Sequence, residues 1–573
     1  MRFTTNPVSI VFWAVLGFTI FLIIYPISFL LYGSLWSSDP GDPGYFTLKN
    51  YVTAFTDPYT VTLLVNSFTY ALGSALLAVS IGSILAFIAV RTDAPFRRQF
   101  RFLPFLPIVL PGFVDNLAWV YLFSPRSGLA NVMFRDLFRI TDTDVALFNI
   151  YSMGGMIWVM GISLVPTAYL VISAAFAAMD SNLEEAARVV GSRITTVLRK
   201  ITIPIMAPAI LSVFLLVFII AFESFETPAM VGIPAKIEVF MSEIYRSVVG
   251  SIPPNYGLAT AHAIILLTIT LSLIFLYRRA LRRGEKFQVI TGKGYRPRII
   301  HLGKWKYFGT AILATYLIVH IGLMFSTVTL LSLQPFWNPS DLISRMTLKH
   351  YFTIFDRSDI LQSVLNSWIV SGSAATIVLL MAVMISYISR RGKFRGRGLL
   401  EGIGTLPIAF PGFVIGLGFL WTFLTLPLKI YGTLAVIVLA FMVKYLPHGI
   451  RFTAGAVAQI HRDLEDSSSI VGAQWTTTVR RITLPLLGPA VISGWVYVFV
   501  ISFKELSSII FLITPRNEVL ATTLWDLWVN GSSEILAAAS VLLTFLLWAI
   551  VAISIGIFRL RLSPRQNHSL RNT

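Results

Sequence analysis

Long apolar stretches separated by short polar segments occupy most of the chain. Each stretch holds about 20 residues with few charges, the length that a helix needs to cross a hydrocarbon core of ~30 Å. Alternating segments of about ten residues, typical of a membrane barrel, are absent. The pattern predicts an all-α integral membrane protein of about 12 transmembrane helices, at residues 10–31, 62–90, 103–123, 152–179, 205–224, 258–277, 307–332, 363–389, 402–427, 431–450, 486–512 and 535–558.

Composition agrees with a protein whose solvent is mostly lipid. Charged residues make up 13% of the chain and apolar residues 56%, whereas soluble domains carry roughly 25% charged residues. The net charge of +18 does not predict nucleic acid binding, because the basic residues lie in short runs between apolar stretches. Cysteine is absent, which excludes disulfides, thiolate metal sites and a cysteine nucleophile.

The basic runs predict the orientation of the chain in the membrane. They lie at 91–101, 278–306, 390–397 and 559–571, and all fall on one side if there are twelve spans. Because Lys and Arg concentrate in cytoplasmic loops, we expect a bacterial-type inner (plasma) membrane protein with both termini in the cytoplasm.

The chain is an internal duplication. Residues 47–51 recur at 347–351 and residues 111–114 recur at 411–414, both with an offset of 300, which falls to 281 in the later part of each half. The second copy therefore lacks 19 residues, which we place in the loop around 123–150. Parallel six-span repeats of this kind are typical of transporters with a pathway at the repeat interface.

The duplication predicts six segments along the chain. They are the first span and an extracytoplasmic segment at 1–61, the first transmembrane domain at 62–277, a basic cytoplasmic linker at 278–306, the seventh span and an extracytoplasmic segment at 307–361, the second transmembrane domain at 362–558, and a basic tail at 559–573.

The loop between the fourth and fifth spans carries a repeated pattern. In the first copy, Ser181 and Glu184 have the spacing of a capping box, which starts a helix, and Gly191 suits its left-handed end. In the second copy, Asp463 is the expected cap and Gly472 the expected end. Nine residues after each glycine begins Ile-x-Ile/Leu-Pro, whose proline we expect in the first turn of the next span.

This pattern resembles the signature of permease subunits of binding-protein-dependent ABC importers with the methionine-permease-like fold (type I transmembrane domain). The signature is Glu-Ala-Ala, three residues, Gly, nine residues and Ile-x-Leu-Pro. The resemblance implies that each short helix is a coupling helix, which docks into a groove on a separate ATPase subunit. The coupling residues it implies are Glu185, Ala186, Ala187, Gly191, Asp466, Ser467, Ser468 and Gly472.

The second copy departs from the signature at three positions. Asp466 replaces the glutamate, and Ser467 and Ser468 replace both alanines. Serine hydroxyls compete for backbone hydrogen bonds inside a helix, so the first copy should form the firmer helix and the second should dock more weakly or differently.

The resemblance extends to fused two-copy permeases, including ferric-iron-type members, through the segments 222–228, 503–506 and 520–525. It implies two copies of an ATPase subunit and an extracytoplasmic solute-binding protein as partners. Ferric iron is the first substrate that it suggests, and thiamine, a polyamine, a phosphonate or another small solute is the alternative. No cofactor is expected.

Ionisable side chains at membrane depth are costly and are therefore candidates for a translocation path. Acidic members would favour a cation and the lysines an anion, whereas the alternative interpretation is a set of structural ion pairs. Glu223 and Lys504 occupy equivalent positions of the two copies and could face each other. The candidates are Asp115, Glu223, Glu226, Lys444, Lys504 and Glu505.

Other function classes fit less well. No Gly-x4-Gly-Lys-Ser/Thr loop is present, so ATP must be hydrolysed by another chain, and we predict no catalytic residue and no zinc motif. A membrane-bound transferase would need a cluster of acids or histidines. An ion-coupled secondary transporter of the 6+6 type shares the parallel repeat, but it does not explain the motif between spans four and five.

Overall fold

The computed structural model describes residues 7–100, 107, 111–179, 182–285, 299–392 and 396–562. The first half contains α1 (Pro7–Ser34), α2 (Lys49–Thr56), α3 (Pro58–Arg91), α4 (Arg97–Phe100), α5 (Gly112–Phe123), α6 (Leu129–Phe138), α7 (Met153–Ala178), α8 (Asn182–Val189), α9 (Ile194–Val197), α10 (Ile203–Phe222), α11 (Phe240–Tyr245) and α12 (Tyr256–Glu285).

The second half repeats this order without a counterpart of α6. It contains α13 (Lys306–Leu317), α14 (Met324–Ser332), α15 (Lys349–Asp356), α16 (Ser358–Arg391), α17 (Arg397–Thr405), α18 (Gly412–Thr425), α19 (Leu434–Gln459), α20 (Arg462–Ile470), α21 (Trp475–Thr478), α22 (Leu484–Phe503), α23 (Leu520–Val529) and α24 (Ser533–Leu562). Within the described ranges there is no β-strand, which confirms the all-α prediction.

Ten helices of the described ranges are long and apolar enough to cross a membrane, and an eleventh span is possible if one bent pair is counted. That pair joins residues 397–409 to α18 at an angle of 106°, so the predicted span at 402–427 is a broken helix. The break lies at Pro411, whose ring forces the preceding Phe410 into an extended conformation. Most of residues 101–110, in the equivalent span predicted at 103–123, lie outside the described residues.

Several predicted boundaries differ in the structure. The span predicted at 486–512 ends at Phe503, where the charged pair Lys504 and Glu505 begins. The helix predicted at 258–277 continues to Glu285, so the first part of the predicted linker is helical. Residues 286–298 of that linker and residues 563–573 of the tail lie outside the described part of the chain.

The structure confirms the duplication through equivalent hydrogen bonds. The amide of Asn66 donates to the carbonyl of Glu238 at 2.9 Å, and the amide of Asn366 donates to that of Glu518 at 2.7 Å. The next residue in each copy, a serine, accepts from the first backbone N–H of α11 or α23. The repeated Asn-Ser pair therefore fixes the same helix start in both halves.

The 19 residues missing from the second copy are located where the sequence predicts. In the first half, the connection from α5 to α7 includes the helix α6, whereas α18 and α19 are joined by a short loop. Asn131 holds the connection from α5 to α7 in place. Its buried amide donates to the carbonyls of Ser124 and Phe148, and its side-chain oxygen accepts from the backbone N–H of Leu147.

The two halves are interleaved. The first span of each half packs against a helix of the other half: α1 lies on α18, the second part of the broken span, and α14 lies on α5. The approach is close at Gly418, where an added Cβ would lie 2.8 Å from the carbonyl oxygen of Pro26. This crossing brings side chains of both halves to one central interface.

Candidate functional site

The two predicted coupling helices are present and end as expected. Gly191 has φ +86° and Gly472 has φ +81°, the left-handed region that favours glycine. After α8, the N–H of Ser192 donates to the carbonyl of Ala187 at 3.0 Å, which is the longer bond of a Schellman motif.

The starts of these helices differ from the prediction. In the second copy α20 begins at Arg462, so Asp463 lies inside the first turn and is not the cap; its carboxylate pairs with the exposed His461. In the first copy, the capping box assigned to Ser181 lies outside the described residues. Its expected partner Glu184 has another role.

The prolines of the motif lie in the first turn of α10 and α22, as expected, but not at the start of a span. The fifth span starts at Ile194, ten residues before Pro204, and runs to Phe222. Residues 198–202 form a π-helical turn, in which the N–H of Ile203 donates to the carbonyl of Leu198. The proline follows this turn, and Pro485 repeats the arrangement after the π turn at 479–483. A π turn shifts the hydrogen-bond register, which accommodates an irregularity within a continuous helix.

Glu184 connects the first coupling helix to the membrane helices. One carboxylate oxygen contacts the guanidinium of Arg91 at the end of α3, and the other accepts from the hydroxyl of Thr202 at 2.6 Å. The side chains of Arg91 and Glu184 are only 1% and 8% exposed. We call this arrangement the first clasp.

The second half contains an equivalent and looser clasp. Arg391 lies 3.6 Å from the carboxylate of Glu465, which also accepts from the hydroxyl of Thr483 at 3.1 Å. Here the two charged side chains are 12% and 14% exposed. The sequence signal was available, since each of the three residues recurs at the offset of its region, but the family signature directs attention to the neighbouring Glu185 and Asp466.

The coupling residues named by the signature are more exposed than the clasp. Ala186, Gly191, Asp466, Ser467 and Gly472 are exposed, and Glu185, Ala187 and Ser468 are half-buried. The hydroxyl of Ser467 donates to the carbonyl of Asp463 at 2.5 Å, as expected for a serine that competes for backbone bonds.

A central cavity of about 450 Å³ lies between the two halves. Residues from α5, α7 and the segment after α10 line it on one side, and residues from α19 and the segment after α22 line it on the other. Its walls include all six predicted pathway residues: Asp115, Glu223, Glu226, Lys444, Lys504 and Glu505.

Asp115 is held by three neighbours. The indole of Trp119 donates to one oxygen at 3.0 Å, and the hydroxyl of Ser163 donates to the other. The ring of His320, which comes from the seventh span and hydrogen bonds to Tyr316, lies 3.6 Å from the same oxygen. The sequence analysis did not assign His320, because nothing local connects it to Asp115.

Glu505 is also fully engaged. It forms an ion pair with Lys444 and accepts from the hydroxyl of Tyr445 at 3.1 Å and the backbone N–H of Ser508 at 3.0 Å. Electrostatic interactions link Lys504 to Glu226 and Glu505, and Glu223 to Lys444. Glu223 and Lys504, from equivalent positions of the two halves, both line this cavity.

The two remaining acids of the cavity are Glu223 and Glu226. Glu223 Oε1 is buried and makes no hydrogen bond with any described residue. The carboxylate of Glu226 lies against Gly112, the first residue of α5, at a distance that leaves no room for a Cβ. The N-terminus of a helix favours a negative charge at this place.

The family described as the inner membrane component of binding-protein-dependent transport systems matches the chain twice, at residues 78–285 and 378–567. The chain belongs to this family. It is a fused two-copy permease of an ABC importer, a membrane subunit whose ATPase is a separate chain, and it resides in the bacterial inner membrane.

Two relatives align over most of this permease. The putative ferric transport system permease protein FbpB 1 of Haemophilus influenzae is 27% identical over 507 residues, which cover 87% of this chain and 77% of the relative. The ferric transport system permease protein FbpB of Actinobacillus pleuropneumoniae is 25% identical over 536 residues, covering 93% and 75%. Among solved structures, a bacterial ABC transporter involved in the import of the acidic polysaccharide alginate aligns with 45% of this chain and 97% of its own, at 16% identity and a TM-score of 0.37.

Among the described residues, no group of three or more His, Asp or Glu side chains has the geometry to hold a metal ion. The acids of the cavity are instead distributed along its walls, with Asp115 and Glu505 already engaged by protein partners.

Proposed function

We propose that this permease moves ferric iron from an extracytoplasmic binding protein into the cytoplasm, with ATP hydrolysed by two copies of a separate ATPase. The observation that carries the proposal is the convergence of the six charged candidates on one cavity between the halves. Four of them are carboxylates and two are lysines, and one lysine is neutralised by an ion pair with Glu505. An excess of acids lowers the electrostatic barrier for a cation. The relatives from Haemophilus influenzae and Actinobacillus pleuropneumoniae described above are also named as ferric transport permeases.

The coupling helices supply the docking surface for the ATPase in this proposal. Their C-terminal ends present apolar side chains to solvent, and Val190 and Val471 are 86% and 82% exposed. In each half these exposed apolar residues lie on the side of the coupling helix that faces away from the clasp. An exposed apolar helix end of this kind is suited to helix-in-groove recognition. Because both halves repeat it, two ATPase copies fit.

The same arrangement defines the orientation that we propose. Both coupling helices and the basic runs after the second span of each half lie on one side, and we assign that side to the cytoplasm. Both chain termini are then cytoplasmic, and the binding protein docks on the opposite face, above the cavity.

Reconstitution tests the proposal. The permease, its ATPase and its binding protein in proteoliposomes should take up radioactive ferric iron only when ATP is inside with the ATPase. Glu226→Gln should reduce initial uptake at least tenfold, whereas Asp42→Asn, an exposed acid of a loop on the opposite side from the coupling helices, should leave it unchanged. Uptake of an organic solute without iron, or equal iron uptake by both variants, would contradict the proposal.

A further inference from the structure

Two short helices, α2 and α15, precede the second span of each half and carry a row of outward-facing apolar side chains. The row follows the spacing i, i+4, i+7 in both copies, and the last residue of each row, Phe55 or Phe355, is 70% or 62% exposed. We call these residues the outer rows: Leu48, Val52 and Phe55 in the first half, and Leu348, Phe352 and Phe355 in the second.

The inward face of α2 combines the small buried Ala54 with hydrogen-bonded polar side chains. The amide of Asn50 donates to the carbonyls of Ser34 and Trp36 at 3.1 and 3.0 Å, and the hydroxyl of Tyr51 bonds to that of Ser34 at 2.8 Å. The bond to Ser34 satisfies a free carbonyl at the end of α1, and together these bonds fix the rotation of α2 about its own axis.

The second half uses the same construction with one different residue. The ring of His350 bonds to the carbonyl of Gln334 at 2.9 Å, and the hydroxyl of Tyr351 bonds to that of Ser332 at 2.7 Å. Because different side chains achieve the same rotation, the outward apolar row is a repeated feature of the fold.

A helix that faces water would place polar side chains outward, whereas α2 and α15 bury only Ala54 and Ile354 and expose the larger apolar side chains of the outer rows. A single residue separates each helix from the span that follows it, since α2 ends at Thr56 and α3 begins at Pro58. The outer rows therefore continue the lipid-facing surface of the spans at the edge of the hydrocarbon.

We propose that α2 and α15 are interfacial anchors, whose outer rows insert into the lipid leaflet opposite the coupling helices. The partner is the boundary between headgroups and acyl chains, which an amphipathic helix enters by roughly 5–10 Å. Lys49 and Lys349, both exposed at the start of each helix, can extend to lipid phosphates.

The absence of native cysteine allows a direct test in the full chain. Single variants Phe55→Cys and Phe355→Cys carry a nitroxide label in nanodiscs made of phosphatidylethanolamine and phosphatidylglycerol, and power saturation compares their access to oxygen and to a water-soluble nickel chelate. Leu72→Cys, on the exposed apolar surface of α3, is the lipid control, and Asp42→Cys is the water control.

We expect both outer-row labels to favour oxygen, as the label at position 72 does, and the label at position 42 to favour the nickel chelate. Val52→Cys and Phe352→Cys, one turn earlier, should give the same result and serve if a first variant folds poorly. Outer-row labels that collide with nickel as often as the water control would overturn the proposal. Protection that arises only after the binding protein is added would also overturn it and would assign these rows to that protein.

Discussion

The substitution Glu184→Gln tests whether the first clasp transmits force between the coupling helix and the membrane. The variant keeps the shape of the side chain and can still accept from Thr202, but it leaves the charge of Arg91 without a partner. The Arg91 side chain is fully buried, and its Nε and Nη1 already make no hydrogen bond among the described residues.

The size of the effect follows from burial. Removing one member of a buried ion pair costs about 3–5 kcal/mol, because the other charge remains desolvated. A change of about 1.4 kcal/mol is tenfold in an equilibrium constant, so even ~3 kcal/mol would reduce the equilibrium constant for correct seating of α8 by roughly a hundredfold. Glu465→Gln should cost less, because its clasp is longer and more exposed.

The assay measures coupling, which a general loss of folding would not mimic. In proteoliposomes with the ATPase and binding protein, Glu184→Gln should hydrolyse ATP with little solute uptake or fail to retain the ATPase during purification. The comparison variant is Glu185→Gln, which removes a charge from the next position of the same helix and leaves the clasp intact. Because Glu185 is itself an implied coupling residue, only a defect larger than that of Glu185→Gln is assigned to the clasp.

A double variant distinguishes the effect of the unpaired Arg91 charge from the effect of losing the packing contact between the two side chains. Replacing Arg91 by Met and Glu184 by Leu removes both charges and keeps the volume, so it should restore much of the stability lost in Glu184→Gln. If Glu184→Gln and Glu185→Gln both transport as the unmodified protein does, or if the double variant is worse than the single one, the clasp has no role in coupling.

Three further predictions concern the loops and the termini. Gly191→Pro should impair transport and ATPase retention more than Gly472→Pro, with membrane insertion intact. Both glycines have positive φ, which proline cannot adopt, but the serine-containing second helix is expected to dock less firmly. Equal uptake by both variants and the unmodified protein would show that these loops are only connectors. The backbone N–H of Leu302 and the ring of His301 lower the pKa of Asp93. The contact of Asp93 with these two residues should therefore persist at neutral pH and be lost only as acid protonates the carboxylate. At neutral pH, Asp93→Asn should make Lys304 more susceptible to trypsin, and an unchanged cleavage rate would refute this prediction. A fluorescent protein fused to the C-terminus should fluoresce and alkaline phosphatase fused there should stay inactive, and the reverse would invert the proposed orientation.

The sequence by itself determined the architecture, because that information is local or repeated. The length and hydrophobicity of each stretch indicate spans without reference to neighbours, and a constant offset between halves reveals duplication. The glycine that ends each coupling helix is equally local, since its φ depends on adjacent peptide groups. Charge at membrane depth was enough to select the six side chains that line the cavity.

Only the tertiary structure decided which residues meet. Glu184 and Glu185 are adjacent acids with the same local chemistry, and the rotation of α8 against Arg91 and Thr202 determines which of them is buried. His320 reaches Asp115 because the seventh span crosses to the other half. These contacts depend on side-chain packing between distant segments, which hydrophobic periodicity does not encode.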